Sequence, residues 1–170
     1  MWQQIFIYFS ALILFGFVIL GCIRYGLLDC YSAYAAKWHE FYPKLNIWSV
    51  VTFLSAALMI PVLLEGSKDN PWQFLGFLAP VSLFLVAFSP EYATDKFQWW
   101  MHQAGAWGAV LFVLLYIIFV AHWLFWIIIP LALVALGFSF VRKGTWMFWF
   151  EMATYLSTYA VIIFMLTAKV

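Results

Sequence analysis

Glu151 lies inside a long apolar stretch near the end of the chain, where a carboxylate has little water around it. Hydroxyl side chains follow it at helical spacing, at Thr154, Tyr155, Thr158 and Tyr159. In a helix these side chains fall on one face. Because unsatisfied polar groups are costly in lipid, that face must meet other helices or a water-filled cavity. Such a carboxylate is a candidate for binding a ligand or passing protons, and it can also simply lock two helices together.

His102 is the histidine that we expect to share a site with Glu151. Each residue lies roughly 9 to 12 Å along its helix from a preceding positive charge, Lys96 for His102 and Lys143 for Glu151. Residues 104–109 are mostly small, and small residues let two transmembrane backbones approach closely. His102 is therefore predicted at a helix–helix contact, where its alternative role is a hydrogen bond to the neighbouring helix.

The segment 29–42 is predicted to be amphipathic. Helical spacing places Asp29 and Ser32 on one face and aromatic residues on the other. The segment either lies among the lipid headgroups as an interfacial helix or covers a pocket and presents these two residues to it. With His39 at its rim, the predicted pocket for a ligand or protons consists of six residues: Glu151, His102, Tyr155, Thr158, Asp29 and Ser32.

The composition indicates that the bilayer is the solvent for most of this chain. Of its 170 residues 68% are hydrophobic and 9% are charged, whereas a soluble domain has about 25% charged residues. The predicted fold class is therefore all-α, a polytopic transmembrane helix bundle with an amphipathic interfacial segment after the first span. A net charge of +1 without a basic patch argues against nucleic acid as a partner.

The apolar stretches predict six spans. A span needs about 20 apolar residues, and the stretch 97–140 is roughly twice that length, so we predict a bend near His122. The N-terminus lacks the basic region of a signal peptide, and the first segment is predicted to be retained. The chain then forms a single transmembrane domain over 1–170, with spans at 5–23, 45–64, 72–88, 97–120, 124–140 and 145–166.

The distribution of positive charge predicts the orientation. With six spans both termini lie on one side, and the loops on the other side carry most of the basic residues: Arg24, Lys37, Lys44, Lys96, Arg142 and Lys143. The positive-inside rule assigns those loops to the cytoplasm and both termini to the outside. The pocket around Glu151 and His102 would then face the cytoplasm.

No catalytic residue, metal ligand or cofactor is predicted. Zinc needs three or four close ligands, and the histidines have no HxxxH or HExxH spacing. Ceramidases and adiponectin-receptor-like membrane hydrolases also combine Ser, Asp and His near one membrane face, but this chain lacks the paired histidines of their last helix. An intramembrane hydrolase acting on a lipid, with or without a metal, stays open as the alternative function.

The function that we expect is not enzymatic. The pocket would bind a lipid or a partner's transmembrane helix, or it would pass protons or ions. The expected partners are accordingly membrane lipids, another transmembrane helix or a second copy of the chain.

Three segments carry a resemblance to a known family. They are residues 25–34, 72–78 and 146–159, which read YGLLDCYSAY, WQFLGFL and WMFWFEMATYLSTY. Together they resemble a family of small six-helix membrane proteins, bacterial and phage-associated, to which no activity is assigned. The resemblance extends over nearly the whole chain. It implies a helical fold in the bacterial inner membrane and implies nothing about mechanism.

Overall fold

The computed structural model of the chain describes residues 2–41, 46–122 and 144–167, together with positions 126, 129, 130, 133, 134 and 137. All regular secondary structure in these residues is helical, which confirms the predicted all-α class. The helices are α1 (Trp2–Tyr25), α2 (Ala33–Phe41), α3 (Ile47–Gly66), α4 (Leu75–Ala87), α5 (Lys96–Val120) and α6 (Trp146–Thr167).

Four of these helices are long and apolar enough to cross a membrane, namely α1, α3, α5 and α6. Helix α4 has 13 residues, fewer than the roughly 20 that cross a bilayer alone. Most of the predicted span 124–140 lies outside the described residues, and Lys44, Arg142 and Lys143 lie outside them as well. The membrane-spanning helical bundle is therefore established by length and composition, and the count of six spans stays a prediction.

The polar residues that flank the spans fix where two of the helices begin. The side chain of Asn46 accepts a hydrogen bond of 3.1 Å from the backbone N–H of Ser49 at the start of α3. Asp95 accepts one of 2.7 Å from the N–H of Gln98 at the start of α5. Each bond satisfies a backbone donor that the first helical turn leaves without a partner. Helix α5 ends at Val120, next to the bend predicted near His122.

The helices pack in a definite order. Helix α1 packs on α3, α3 on α4, and α4 on α5, whereas α6 lies against α1 and α3 and scarcely touches α5. Helices α4 and α5 approach closely at Gly105, where a Cβ atom would lie 2.6 Å from the backbone oxygen of Ser82. The small residues after His102 thus allow close contact between α5 and α4.

A cluster of hydroxyl groups joins α1, α3 and α6 inside the bundle. The Ser10 hydroxyl donates a hydrogen bond of 2.8 Å to the backbone oxygen of Ser55. The Tyr159 hydroxyl lies 2.5 Å from the Ser10 hydroxyl. Because the Ser10 hydrogen is used by Ser55, Tyr159 is the donor in this second bond. Helix α6 is thereby held against the α1–α3 pair.

The aromatic side of the segment 29–42 packs against the bundle. Tyr31 and Tyr34 are both almost fully buried. The Tyr34 ring lies over Gly21 of α1, where a Cβ atom would be 2.6 Å from a ring carbon. The Tyr34 hydroxyl donates to the backbone oxygen of Gly26 at 2.8 Å and accepts from the N–H of Leu28 at 3.3 Å. These contacts hold the loop after α1 against the end of the bundle.

Candidate functional site

A cavity lies between α3, α4, α5 and α6, and the space in it that the centre of a water-sized molecule can occupy is about 80 Å³. Its character changes along its length. At one end the lining is polar or aromatic, with Glu151, His102, Ser32, Tyr31 and Trp48. Toward the end of α3, the start of α4 and the middle of α5 it is mainly apolar, and Thr158 also lines this part; the apolar residues are Leu63, Ala79, Leu83, Val110 and Val113. The cavity is thus amphipathic along its axis.

Glu151 attaches the loop after α1 to α6. Its Oε2 atom accepts a hydrogen bond of 2.5 Å from the backbone N–H of Tyr31. One turn before Glu151, the N–H of Phe148 donates to the backbone oxygen of Asp29 at 2.9 Å. Both bonds satisfy backbone groups that neither a helix nor a strand would pair. The carboxylate therefore has a structural partner as well as access to the cavity.

Tyr31 connects Glu151 to the aromatic wall of the cavity. Its ring centroid is 5.7 Å from that of Tyr155 and 6.3 Å from that of Trp48. Its hydroxyl lies 3.4 Å from the Thr52 hydroxyl. Burial raises the pKa of Tyr31 above its ordinary value, so the hydroxyl stays protonated and available as a donor.

The His102 ring packs against two aromatic rings, which also lie close to each other. Its ring centroid is 4.1 Å from that of Tyr92 and 5.8 Å from that of Trp48, with nearly parallel planes in both pairs. The Tyr92 hydroxyl donates to the backbone oxygen of Ser32 at 3.1 Å. Within the described residues, the buried Nδ1 of His102 and the buried Nε1 of Trp48 have no hydrogen-bond partner. Two residues that line this end of the cavity therefore each contain a buried nitrogen without a partner.

The structure brings five of the six predicted pocket residues into this one lining: Glu151, His102, Tyr155, Thr158 and Ser32. Asp29 is not among the lining residues; its side chain is exposed, and His39 is exposed on α2. The reason is that α2 begins only at Ala33, so helical spacing does not apply to residues 29–32. The chain turns there, and Tyr31 lines the pocket. Whether these residues bind a ligand or protons stays a prediction.

Trp48 and Thr52 of α3 line the same cavity and were not predicted as pocket residues. The sequence does contain a signal for them. Trp48, Thr52 and Ser55 follow one another at i, i+4 and i+7, which is a second polar stripe on an apolar helix. That stripe faces the one that begins at Glu151.

In the part of the chain that the structure describes, no three His, Cys, Asp or Glu side chains lie close enough together to hold a metal ion. Comparisons with family models, curated proteins and solved structures find no match to this chain. The resemblance carried by residues 25–34, 72–78 and 146–159 stays a prediction.

Proposed function

We propose that the protein binds an amphiphilic lipid of the membrane in this cavity. The headgroup occupies the end at Glu151 and His102, and an acyl chain lies along the apolar part. The observation that carries the proposal is the change of lining within one cavity, from polar and aromatic side chains to aliphatic ones. A ligand that matches such a lining has a polar group at one end and a hydrocarbon chain at the other.

The length of the cavity fits one acyl chain. His102 and Val113 of α5 both line it, and the helix rises roughly 16 Å between them at 1.5 Å per residue. That is about half the thickness of the hydrocarbon core, which is the depth of one leaflet. A lipid from one leaflet would therefore keep its headgroup near its normal depth while its chain enters the bundle.

We propose further that this end faces the cytoplasm of a bacterial inner membrane, with both termini outside. Three basic residues lie at the end of the bundle where Glu151 lies, and Lys68, after α3, lies at the opposite end; the three are Arg24 at the end of α1, Lys37 on α2 and Lys96 at the start of α5. The excess of positive charge supports this orientation. Single cysteines at Lys37 and Lys68 test it: an impermeant maleimide should label intact cells at position 68 and leave position 37 unlabelled.

The lipid-binding proposal is tested with a photoreactive lipid and two variants of α5. Val110 lines the cavity, and its neighbour Leu111 is 52% exposed on the outside of the same helix. A phospholipid with a diazirine in its acyl chain should cross-link to Met59, which is buried and lines the cavity. Val110→Phe fills the space and should abolish this cross-link, and Leu111→Phe should leave it intact. Absence of the cross-link in the unaltered protein, or its survival in Val110→Phe, would contradict the proposal.

Passage of protons or ions is the second candidate, and one observation favours it. The hydroxyl groups of Thr52, Ser55 and Thr158 continue the polar lining beyond Glu151.

The lining farther on argues against passage of protons. A neighbouring cavity shares Leu63 and Val113 with the first and continues among apolar side chains such as Ile117 and Val161, which cannot carry a proton. In proteoliposomes we expect no proton or ion flux that depends on Glu151. Such a flux, lost in Glu151→Gln, would favour passage instead, and release of a fatty acid from added lipid would favour the hydrolase.

A further inference from the structure

The polar end of the cavity offers a carboxylate that is only partly used. Glu151 Oε2 takes the N–H of Tyr31, and no described residue donates a hydrogen bond to Oε1. No lysine or arginine is among the described lining residues. Lys37 and Glu40 form an ion pair on the exposed side of α2, away from the cavity. A group that enters beside Glu151 therefore meets a carboxyl group with no lysine or arginine beside it among the described lining residues.

Aromatic side chains line the same space. Tyr31, Trp48, His102 and Tyr155 all line this end of the cavity. Neighbouring ring centroids are 5.7 to 6.3 Å apart, from Tyr155 through Tyr31 to Trp48. The faces of such rings attract cations through their quadrupoles. A carboxylate beside aromatic faces is chemistry suited to an ammonium group and unsuited to an anion.

Two buried nitrogens without a hydrogen-bond partner belong to residues that line this end of the cavity. Trp48 is 1% exposed and His102 is 6% exposed, and neither Trp48 Nε1 nor His102 Nδ1 has a hydrogen-bond partner among the described residues. The indole N–H can only donate, so it requires an acceptor such as a hydroxyl or phosphate oxygen. A neutral imidazole nitrogen can accept from an N–H or O–H group. Buried polar groups in proteins nearly always have such partners.

We propose that this end of the cavity binds the primary ammonium group of an amine-bearing lipid, with an adjacent oxygen of the headgroup accepting a hydrogen bond from Trp48. The proposal rests on the proposed function and specifies its ligand class. A primary ammonium has three N–H donors, enough for Glu151 Oε1 and a second acceptor such as His102 Nδ1. A trimethylated ammonium would keep the attraction to the rings but has no N–H to donate. An anionic headgroup would be repelled by Glu151.

Phosphatidylethanolamine, phosphatidylcholine and phosphatidylglycerol with identical acyl chains are the probes. They are titrated onto the purified full-length protein in detergent, and bound lipid is counted by native mass spectrometry. We expect phosphatidylethanolamine to bind about tenfold more tightly than phosphatidylglycerol, which corresponds to one favourable charged contact, with phosphatidylcholine between them. Glu151→Gln keeps an oxygen acceptor for Tyr31 and should remove most of this preference. Leu111→Phe, on the lipid-facing surface, should preserve it.

The possible outcomes test the ammonium site and the lipid-binding function separately. Equal binding of the three lipids, all lost in Val110→Phe, would leave the lipid-binding function standing and overturn the ammonium site. Tighter binding of phosphatidylglycerol, or a preference unchanged in Glu151→Gln, would overturn it as well. Binding that is insensitive to Val110→Phe would overturn both proposals. If Glu151→Gln fails to fold, Trp48→Phe replaces it: it keeps an aromatic face, removes the indole donor, and should weaken phosphatidylethanolamine binding.

Discussion

Glu151 of α6 and Tyr31 of the loop after α1 are 120 residues apart in the chain and are joined by a hydrogen bond of 2.5 Å from the Tyr31 N–H to Glu151 Oε2. The same carboxylate lines the cavity. The bond from Tyr31 to Oε2 therefore fixes the position of the second oxygen, Oε1, before any ligand binds. A group that is positioned by the fold before binding loses less entropy when the ligand arrives.

Removal of the Glu151 acceptor should destabilise the protein. Glu151→Leu leaves the N–H of buried Tyr31 without a partner, which costs about 1–3 kcal/mol. Glu151→Gln retains an amide oxygen that can accept the same bond, so we expect it to fold and to reach the membrane at nearly normal levels. Thermal unfolding in detergent measures the difference between the two variants.

Thr154→Val is the matched control for Glu151→Leu. Thr154 lies one turn farther along α6, also lines the cavity, and donates its hydroxyl only to its own helix, to the backbone oxygen of Phe150 at 3.0 Å. Its loss should change the unfolding temperature little. A Glu151→Leu variant as stable as Thr154→Val would refute the structural role of the Tyr31 bond.

A methyl group at Gly105 should separate α4 from α5. Its Cβ would lie 2.6 Å from the backbone oxygen of Ser82 and 2.9 Å from Leu85 Cβ, so helix backbone has to move. We expect Gly105→Ala to cost about 1–3 kcal/mol, as overpacking usually does. Because His102 lies one turn away on α5, lipid binding should weaken as well.

Gly16→Ala is the control for this substitution. A Cβ atom at Gly16 of α1 would meet nothing within 4 Å, and alanine has a higher helix propensity than glycine. Its stability should equal or slightly exceed that of the unaltered protein. Equal effects of the two substitutions would mean that α4 and α5 are not in close contact at Gly105.

The Cys30 thiol should report the charge of Glu151. Burial raises the pKa of Cys30, and the negative charge of Glu151 raises it further. Since only the thiolate reacts, alkylation of Cys30 in a Cys22→Ser background should increase at a higher pH than alkylation of the same chain unfolded in SDS. Glu151→Gln removes the charge and should move the midpoint of this pH profile to lower pH. A profile that matches the unfolded chain, or that ignores Glu151→Gln, would contradict this coupling.

The sequence predicted the pocket residues on regular helices better than those on the turn after α1. The helical spacing from Glu151 to Thr158 could be read directly because α6 is a regular helix through this stretch. His102 could be added because its distance from Lys96 sets its depth, and depth along a span follows from the rise of the helix. Asp29 could not be judged in this way, since residues 29–32 form turns whose direction depends on what they pack against.

The composition and spacing of the sequence by themselves determined that this chain forms apolar helices in a membrane and that Glu151 needs a polar neighbour, because lipid leaves a backbone or a carboxylate few ways to be satisfied. Only the tertiary structure decided which neighbour that is. Two features depend on how side chains of distant segments fit together: the order in which α1, α3, α4 and α5 pack, and the turn at Tyr31. The spacing of residues along one segment does not predict that fit. The stacking of Trp48 on His102 and the bond from Tyr31 to Glu151 are results of this packing.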